Sequence, residues 1–254
     1  MNFKNTLVST ALIGLCSLSA QAATWSKTAT NSGSTCNAVN AVSCTIANTE
    51  ANGSNATVTG WANTGSGGAW AAATLTNQGG SGFGVNNGKS ADVGEGGSPE
   101  HALDNDGFVD AVRFQFAQST TLSAVRTGWM TTDADFTVLA WTGAGAVNMG
   151  SLNNVANTRS MAGWTVVGNY ATSASGTTNF TTGVSSSFWL ITAYNSAFGT
   201  GSNLNNGNDF FKLLSVSGHT NTSTNNRVSE PGALALAGLG LMGAAVVRRR
   251  RKQA

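Results

Sequence analysis

The 254-residue sequence is poor in charge, proline, histidine and cysteine. Charged residues make up 9% of it, and no patch of Lys and Arg with interleaved aromatics occurs in its central part, so we expect no nucleic-acid binding. With two histidines and no Ser or Thr marked as a nucleophile beside them, we expect no enzymatic activity. The abundance of Trp and Phe nevertheless excludes a disordered chain, because seven Trp and eleven Phe can form a core.

The N-terminus has the pattern of a secretory signal peptide. Lys4 precedes an apolar stretch at 7–18, and Ala20 and Ala22 supply the small residues that signal peptidase requires. We therefore predict a signal peptide at 1–22, cleaved after Ala22. A retained membrane helix is the alternative, but the apolar stretch is short for one.

Two cysteines, Cys36 and Cys44, remain after this cleavage. An even pair in an exported protein is most simply a local disulfide. A metal site is the alternative, and it would need more ligands than the neighbouring sequence offers.

The C-terminus combines a polar dipeptide, an apolar run and a basic end. Glu230 and Pro231 precede 16 uncharged residues at 232–247, which five cations follow. As a helix this run would be about 24 Å long, which is marginal against a hydrocarbon core of about 30 Å. Adjacent cations favour the cytoplasmic side, so the body is expected outside the inner membrane.

This tail resembles the PEP-CTERM sorting signal, with Ser229 where the usual motif has its first proline. The resemblance implies that an exosortase-type enzyme recognises the tail, cleaves it and releases the body for surface display. A plain tail anchor is the alternative. The domains are then a signal peptide at 1–22, an exported domain at 23–228 and a sorting signal at 229–254. The implied recognition residues are Glu230, Pro231, Arg248, Arg249, Arg250 and Arg251.

The net charge of +2 comes from the two ends. They carry six of the 13 Lys and Arg but one of the 11 acidic residues. Residues 23–229 therefore hold seven positive and ten negative charges, a net charge of −3.

The body alternates apolar and polar residues with the period of strands, and turn sequences such as Asn205-Asn206-Gly207 separate these segments. No window shows a convincing amphipathic helix. We therefore predict an all-β fold, an antiparallel sandwich of jelly-roll type. The glycine-rich first third is expected to be loosely built and to supply edge strands near Trp61, 70–75 and 83–85. The clearest strands are predicted at 110–117, 122–130, 136–141, 164–170, 188–194 and 210–216.

Asp104, Asp106 and Asp110 are candidate ligands for Ca²⁺, because they are hard oxygen donors in a segment that Gly107 allows to bend. Gln115 stands where an EF-hand loop has its bidentate Glu. A turn in which Asp and Asn cap backbone groups is the favoured interpretation, and calcium is the alternative. Asp133 and Asp135 are expected in a solvated turn, with further calcium ligands as the alternative.

Six tryptophans lie in predicted strands, where core packing is the commoner role and stacking on sugar rings is the alternative. They are Trp61, Trp70, Trp129, Trp141, Trp164 and Trp189.

Three segments of the body, at 98–105, 110–116 and 128–141, resemble an exosortase-dependent surface protein family. The resemblance implies a β-rich exported body from a Gram-negative bacterium that makes exopolysaccharide. We expect transient anchoring in the inner membrane, then a structural or adhesive role in envelope, biofilm or floc, with exopolysaccharide as a partner. A secreted carbohydrate-binding module, calcium-dependent or not, is the first alternative, and a glycan-acting hydrolase is a weaker one.

Overall fold

The computed structural model describes residues 22–26, 35–36, 41–50, 53–89, 101–152 and 163–221. In these ranges the chain is all-β, with antiparallel strands and short 3₁₀ turns but no α-helix. No helix in the same ranges has the length and apolarity needed to cross a bilayer. The predicted signal peptide and the apolar C-terminal helix lie outside the described residues, apart from Ala22.

Twelve strands form the sheet. They are β1 (Ala23–Ser26), β2 (Ser43–Asn48), β3 (Ala56–Ala62), β4 (Ala71–Asn77), β5 (Phe83–Asn86), β6 (Leu103–Asp104), β7 (Asp110–Thr132), β8 (Phe136–Trp141), β9 (Trp164–Tyr170), β10 (Gly176–Asn179), β11 (Ser186–Ala193) and β12 (Asp209–Thr220).

Strand β7 has 23 residues and pairs with four other strands. Its first part pairs with β3 on one edge and β11 on the other, and its later part pairs with β10 and β12. Strand β12 also pairs with β1 and β5, which lead through β2 and β4 back to β3. The strand pairs thus form a closed ring. The antiparallel all-β prediction is confirmed, whereas the jelly-roll sandwich stays a prediction.

Alternation along β3 and β7 separates the core from the outside. Val58, Phe114 and Phe116 are buried on one face, where Phe116 meets Trp25 edge-on with ring centroids 4.7 Å apart. Thr57 and its partner Gln115 are exposed on the other face. The alternation of apolar and polar residues thus separates a buried face from an exposed face, as the sequence predicted.

The first third is more integrated than expected. Strand β3 was predicted as an edge strand, and that prediction is wrong, because β3 pairs with β7 on one edge and with β2 and β4 on the other. A Cβ added at Gly60 would lie 2.9 Å from the carbonyl oxygen of Ala73. At this position glycine therefore permits a close strand approach instead of marking a loose segment.

Two predicted strands, at 110–117 and 122–130, are parts of the single strand β7. Its partners change near Thr120, from β3 to β12 on one edge and from β11 to β10 on the other. The polar residues between the two apolar segments were mistaken for a break, although the backbone continues through them.

Candidate functional site

Cys36 and Cys44 form a disulfide, as predicted. Cys44 lies in β2 and is buried, as is Cys36. The bond attaches the segment at Cys36 to the sheet where β2 pairs with β3.

Asp104 ends β6, Asp110 begins β7, and Asp106 lies in the turn between the two strands. Asp104 and Asp110 are buried, and Asp106 is partly exposed. One carboxylate oxygen of Asp104 accepts the backbone N–H of Asp106 at 3.2 Å, which is the capping role expected of a turn. Asp110 accepts from the side chain of Asn87 at 3.3 Å. The alternative of a calcium site at these three residues stays a prediction.

A different set of carboxylates comes together beyond the end of β7. Asp133 and Asp135 lie between β7 and β8, and Asp209 begins β12. Carboxylate oxygens of the three, hereafter the acidic cluster, lie within 4.8 Å of one another. Asp135 and Asp209 are fully buried. The prediction that Asp135 lies in a solvated turn is therefore wrong, because the turn folds under the neighbouring segments.

Neighbouring backbone and amide groups hold the acidic cluster in place. Asp209 accepts the N–H of Asp135 at 2.7 Å and the side-chain amide of Asn105. Asp135 accepts the N–H of Thr172 at 2.9 Å and that of Asn205 at 3.2 Å. The cluster thus joins four separate segments of the chain.

Burial and mutual repulsion disfavour ionisation of the acidic cluster. Burial, with repulsion from Asp135 and Asp133, raises the pKa of Asp209 from 3.8 to about 8, although its hydrogen bonds act in the opposite direction. Burial also raises the pKa of Asp135. Such a cluster can share a proton at neutral pH, and carboxylates this close could also coordinate a cation.

Sequence reasoning missed Asp209 as a member of this cluster. Its local signal was weak: an Asp after the turn Asn205-Asn206-Gly207, at the start of a strand. Its approach to Asp135 depends on the pairing of β12 with the end of β7, where Asp209 stands opposite Thr132.

The six tryptophans divide evenly between core and partial exposure. Trp70, Trp164 and Trp189 are buried, as the core interpretation predicted. The other three, Trp61, Trp129 and Trp141, are partly exposed.

Trp61 belongs to a polar and aromatic surface on the outer face of β3, β7 and β11. The strand registers place Thr59 opposite Arg113, and Thr57 and Phe188 on either side of Gln115. Thr57 and Gln115 are exposed and the others are partly exposed. We call this surface the outer strip; its members are Thr57, Thr59, Trp61, Arg113, Gln115 and Phe188.

The Arg113 guanidinium lies between two rings of the outer strip. Its Cζ is 5.1 Å from the centroid of a Trp61 ring and 5.9 Å from that of Phe188. Trp61 donates its indole N–H to Thr59 at 2.9 Å, which orients the ring. Burial lowers the pKa of Arg113, yet an arginine stays protonated at neutral pH.

His101 contacts Asn86 and Lys212 in the described structure. Its Nδ1 lies 3.3 Å from the side-chain amide of Asn86. Its backbone carbonyl accepts from Lys212 at 2.6 Å. The segment around His101 thus has a structural role in holding the buried Lys212.

Comparison with known proteins identifies the C-terminal signal. Residues 227–251 match the family model described as the PEP-CTERM protein-sorting motif. The chain therefore carries this sorting signal, which indicates an exported protein that an exosortase-type enzyme directs to the cell surface or the extracellular space. The matched residues lie outside the described part of the structure. No curated protein and no solved structure matches the chain.

Proposed function

We propose that the mature body is a non-catalytic structural or adhesive component of the cell envelope, biofilm or floc. The PEP-CTERM motif at 227–251 carries this proposal, because it directs the body to the place where such a component acts. In this proposal the apolar tail anchors the protein in the inner membrane until the processing enzyme removes it.

The buried carboxylates support a role without catalysis. Glycoside hydrolases hold two carboxylates about 5 to 10 Å apart in a cleft that substrate can enter. In the acidic cluster the carboxylate oxygens lie within 4.8 Å, and Asp135 and Asp209 are fully buried. This arrangement suits a structural role better than glycan hydrolysis.

Intact mass of the protein from its native host, in membrane and medium fractions, tests the sorting part of the proposal. We expect the protein in the medium to lack residues 1–22 and the basic end at 248–252. The variant Pro231→Ala should accumulate in the membrane fraction with its tail intact, while Gln253→Ala, outside the matched residues, should be processed normally. Protein in the medium that retains the basic end would refute the proposed processing.

Deletion of the gene tests the adhesive part. We expect the deletion strain to aggregate or form biofilm less than its parent, and the wild-type gene to restore the behaviour. Normal aggregation and biofilm in the deletion strain would contradict an adhesive role while leaving the sorting result intact.

A carbohydrate-binding module is the second candidate. The outer strip favours it, because aromatic rings beside hydroxyl and amide groups on an exposed sheet face are suited to sugar rings.

A further inference from the structure

Arg113 is a cation in an unusual setting. It lies in β7 on the face opposite the core, because its neighbours Val112 and Phe114 point inward. Within the described residues its Nε is buried without a hydrogen-bond partner, and no salt bridge or side-chain hydrogen bond from Arg113 occurs. The body has a net charge of −3, so this cation is not part of a general basic surface.

The surroundings restrict where the guanidinium can turn. Trp61 and Phe188 flank it, and Thr59 orients Trp61 through the indole hydrogen bond. Because Nε is buried, a planar acceptor from solvent can reach the guanidinium only through the N–H groups of its two Nη atoms. A carboxylate is such an acceptor, because its two oxygens match the guanidinium fork.

We propose that the outer strip binds an acidic polysaccharide through the carboxylate of a uronic acid residue, which pairs with Arg113. Thr57 and Gln115, the exposed cross-strand pair next to Thr59 and Arg113, supply hydrogen bonds to the sugar hydroxyls. This inference rests on the proposed extracellular role and identifies the class of glycan that the body would meet there.

Charge and shape favour a uronic acid polymer over other occupants. None of the six residues of the outer strip is acidic, so a carboxylate meets no like charge within it. The strip spans three neighbouring strands of an outward face, which suits an extended chain. One cation per outer strip gives weak binding per site, and repeated uronates along a polymer can strengthen it by engaging several bodies.

The test measures binding of the purified exported protein to polygalacturonate, to its methyl ester and to neutral dextran. We expect binding to polygalacturonate only. Arg113→Met should weaken that binding at least about tenfold, as expected when a charge-assisted bidentate pair is lost. Arg126→Met is the matched control, because Arg126 is an exposed arginine of the same strand outside the outer strip, and it should bind as the wild type does.

Three results would overturn the inference: equal binding of the ester, equal loss in both arginine variants, or equal binding of poly-glutamate, which would make the site a general carboxylate site. If Arg113→Met fails to fold, Arg113→Lys decides, because it keeps the charge but loses the fork and should still bind several-fold more weakly. If the wild-type protein does not bind polygalacturonate, while sorting and adhesion are normal, this inference is refuted and the proposed function stands.

Discussion

The two ends of β7 differ in the burial of the charged side chains beside them. Beyond its C-terminal end, the acidic cluster brings three groups of like sign together, and two of them are fully buried. Near its start, Arg113 remains partly exposed between two rings. In the acidic cluster burial favours the protonated carboxyl, because two buried anions close together are unfavourable. Partial exposure preserves charge at Arg113, where it stays available to a ligand.

The largest effect is expected from removing a member of the acidic cluster. Asp209→Ala would leave the N–H of Asp135 and one side-chain N–H of Asn105 without an acceptor, while Asn105 still donates to the carbonyl of Tyr194. With about 1 to 3 kcal/mol for each of the two buried donors, we expect a loss of about 2 to 6 kcal/mol in the free energy of unfolding. Chemical denaturation measures it. Asp106→Ala is the control, since Asp106 is partly exposed and should cost much less; equal losses would contradict a special role for the cluster.

The next effect is a dependence of stability on pH. The raised pKa of Asp209 means that its protonated form favours the folded state. Its contribution is complete below about pH 4, where the unfolded carboxyl titrates, and is lost as the pH rises through about 8. We expect the free energy of unfolding to fall by up to about 1.4 kcal/mol per pH unit within this window.

Thermal unfolding between pH 5 and 8, in a metal-free buffer, measures this dependence. Asp209→Asn removes the titrating group and should flatten the curve. A wild-type midpoint that stays constant or rises over the same window would show that the cluster does not hold a proton in the folded protein.

A smaller effect is expected at the other end of β7. Arg113→Met removes contacts with Trp61 and Phe188, which are worth about 1 kcal/mol at a partly exposed site. We expect a midpoint shift of about 2 to 4 °C at most. A loss as large as that of Asp209→Ala would mean that Arg113 serves the fold more than a ligand.

The smallest effect concerns calcium at Asp104, Asp106 and Asp110. The capping bond from Asp104 to the N–H of Asp106 agrees with the turn interpretation, which expects the same midpoint with and without chelator. If chelator lowers the unfolding midpoint of the wild type but not that of Asp106→Asn, the calcium alternative is favoured instead.

Local patterns in the sequence predicted much of the sheet. Strands β8 and β9 have the predicted bounds, Phe136–Trp141 and Trp164–Tyr170, because an apolar core and clear turns mark them. The place of β3 was not predictable in the same way. Its glycine and threonines look like a loose segment, and only its pairing with β7 makes them part of the interior of the sheet.

The candidate sites show the same difference between local sequence signals and long-range strand pairing. The disulfide followed from counting cysteines, whereas the acidic cluster depends on Asp209, 74 residues after Asp135 in the chain. The outer strip likewise required the register of three strands, which sets Phe188 beside Gln115. Sequence patterns thus identified groups that are close in the chain, whereas long-range strand pairing decided which distant side chains meet.

The pairing of the first strand with the last has a consequence for export. Ala23, the residue after the predicted cleavage point, is buried and stands opposite Gly218 in β12. The sheet therefore cannot close until nearly the whole body has crossed the membrane. With cleavage after Ala22, as predicted, the new N-terminus lies beside β12, the last strand of the described residues.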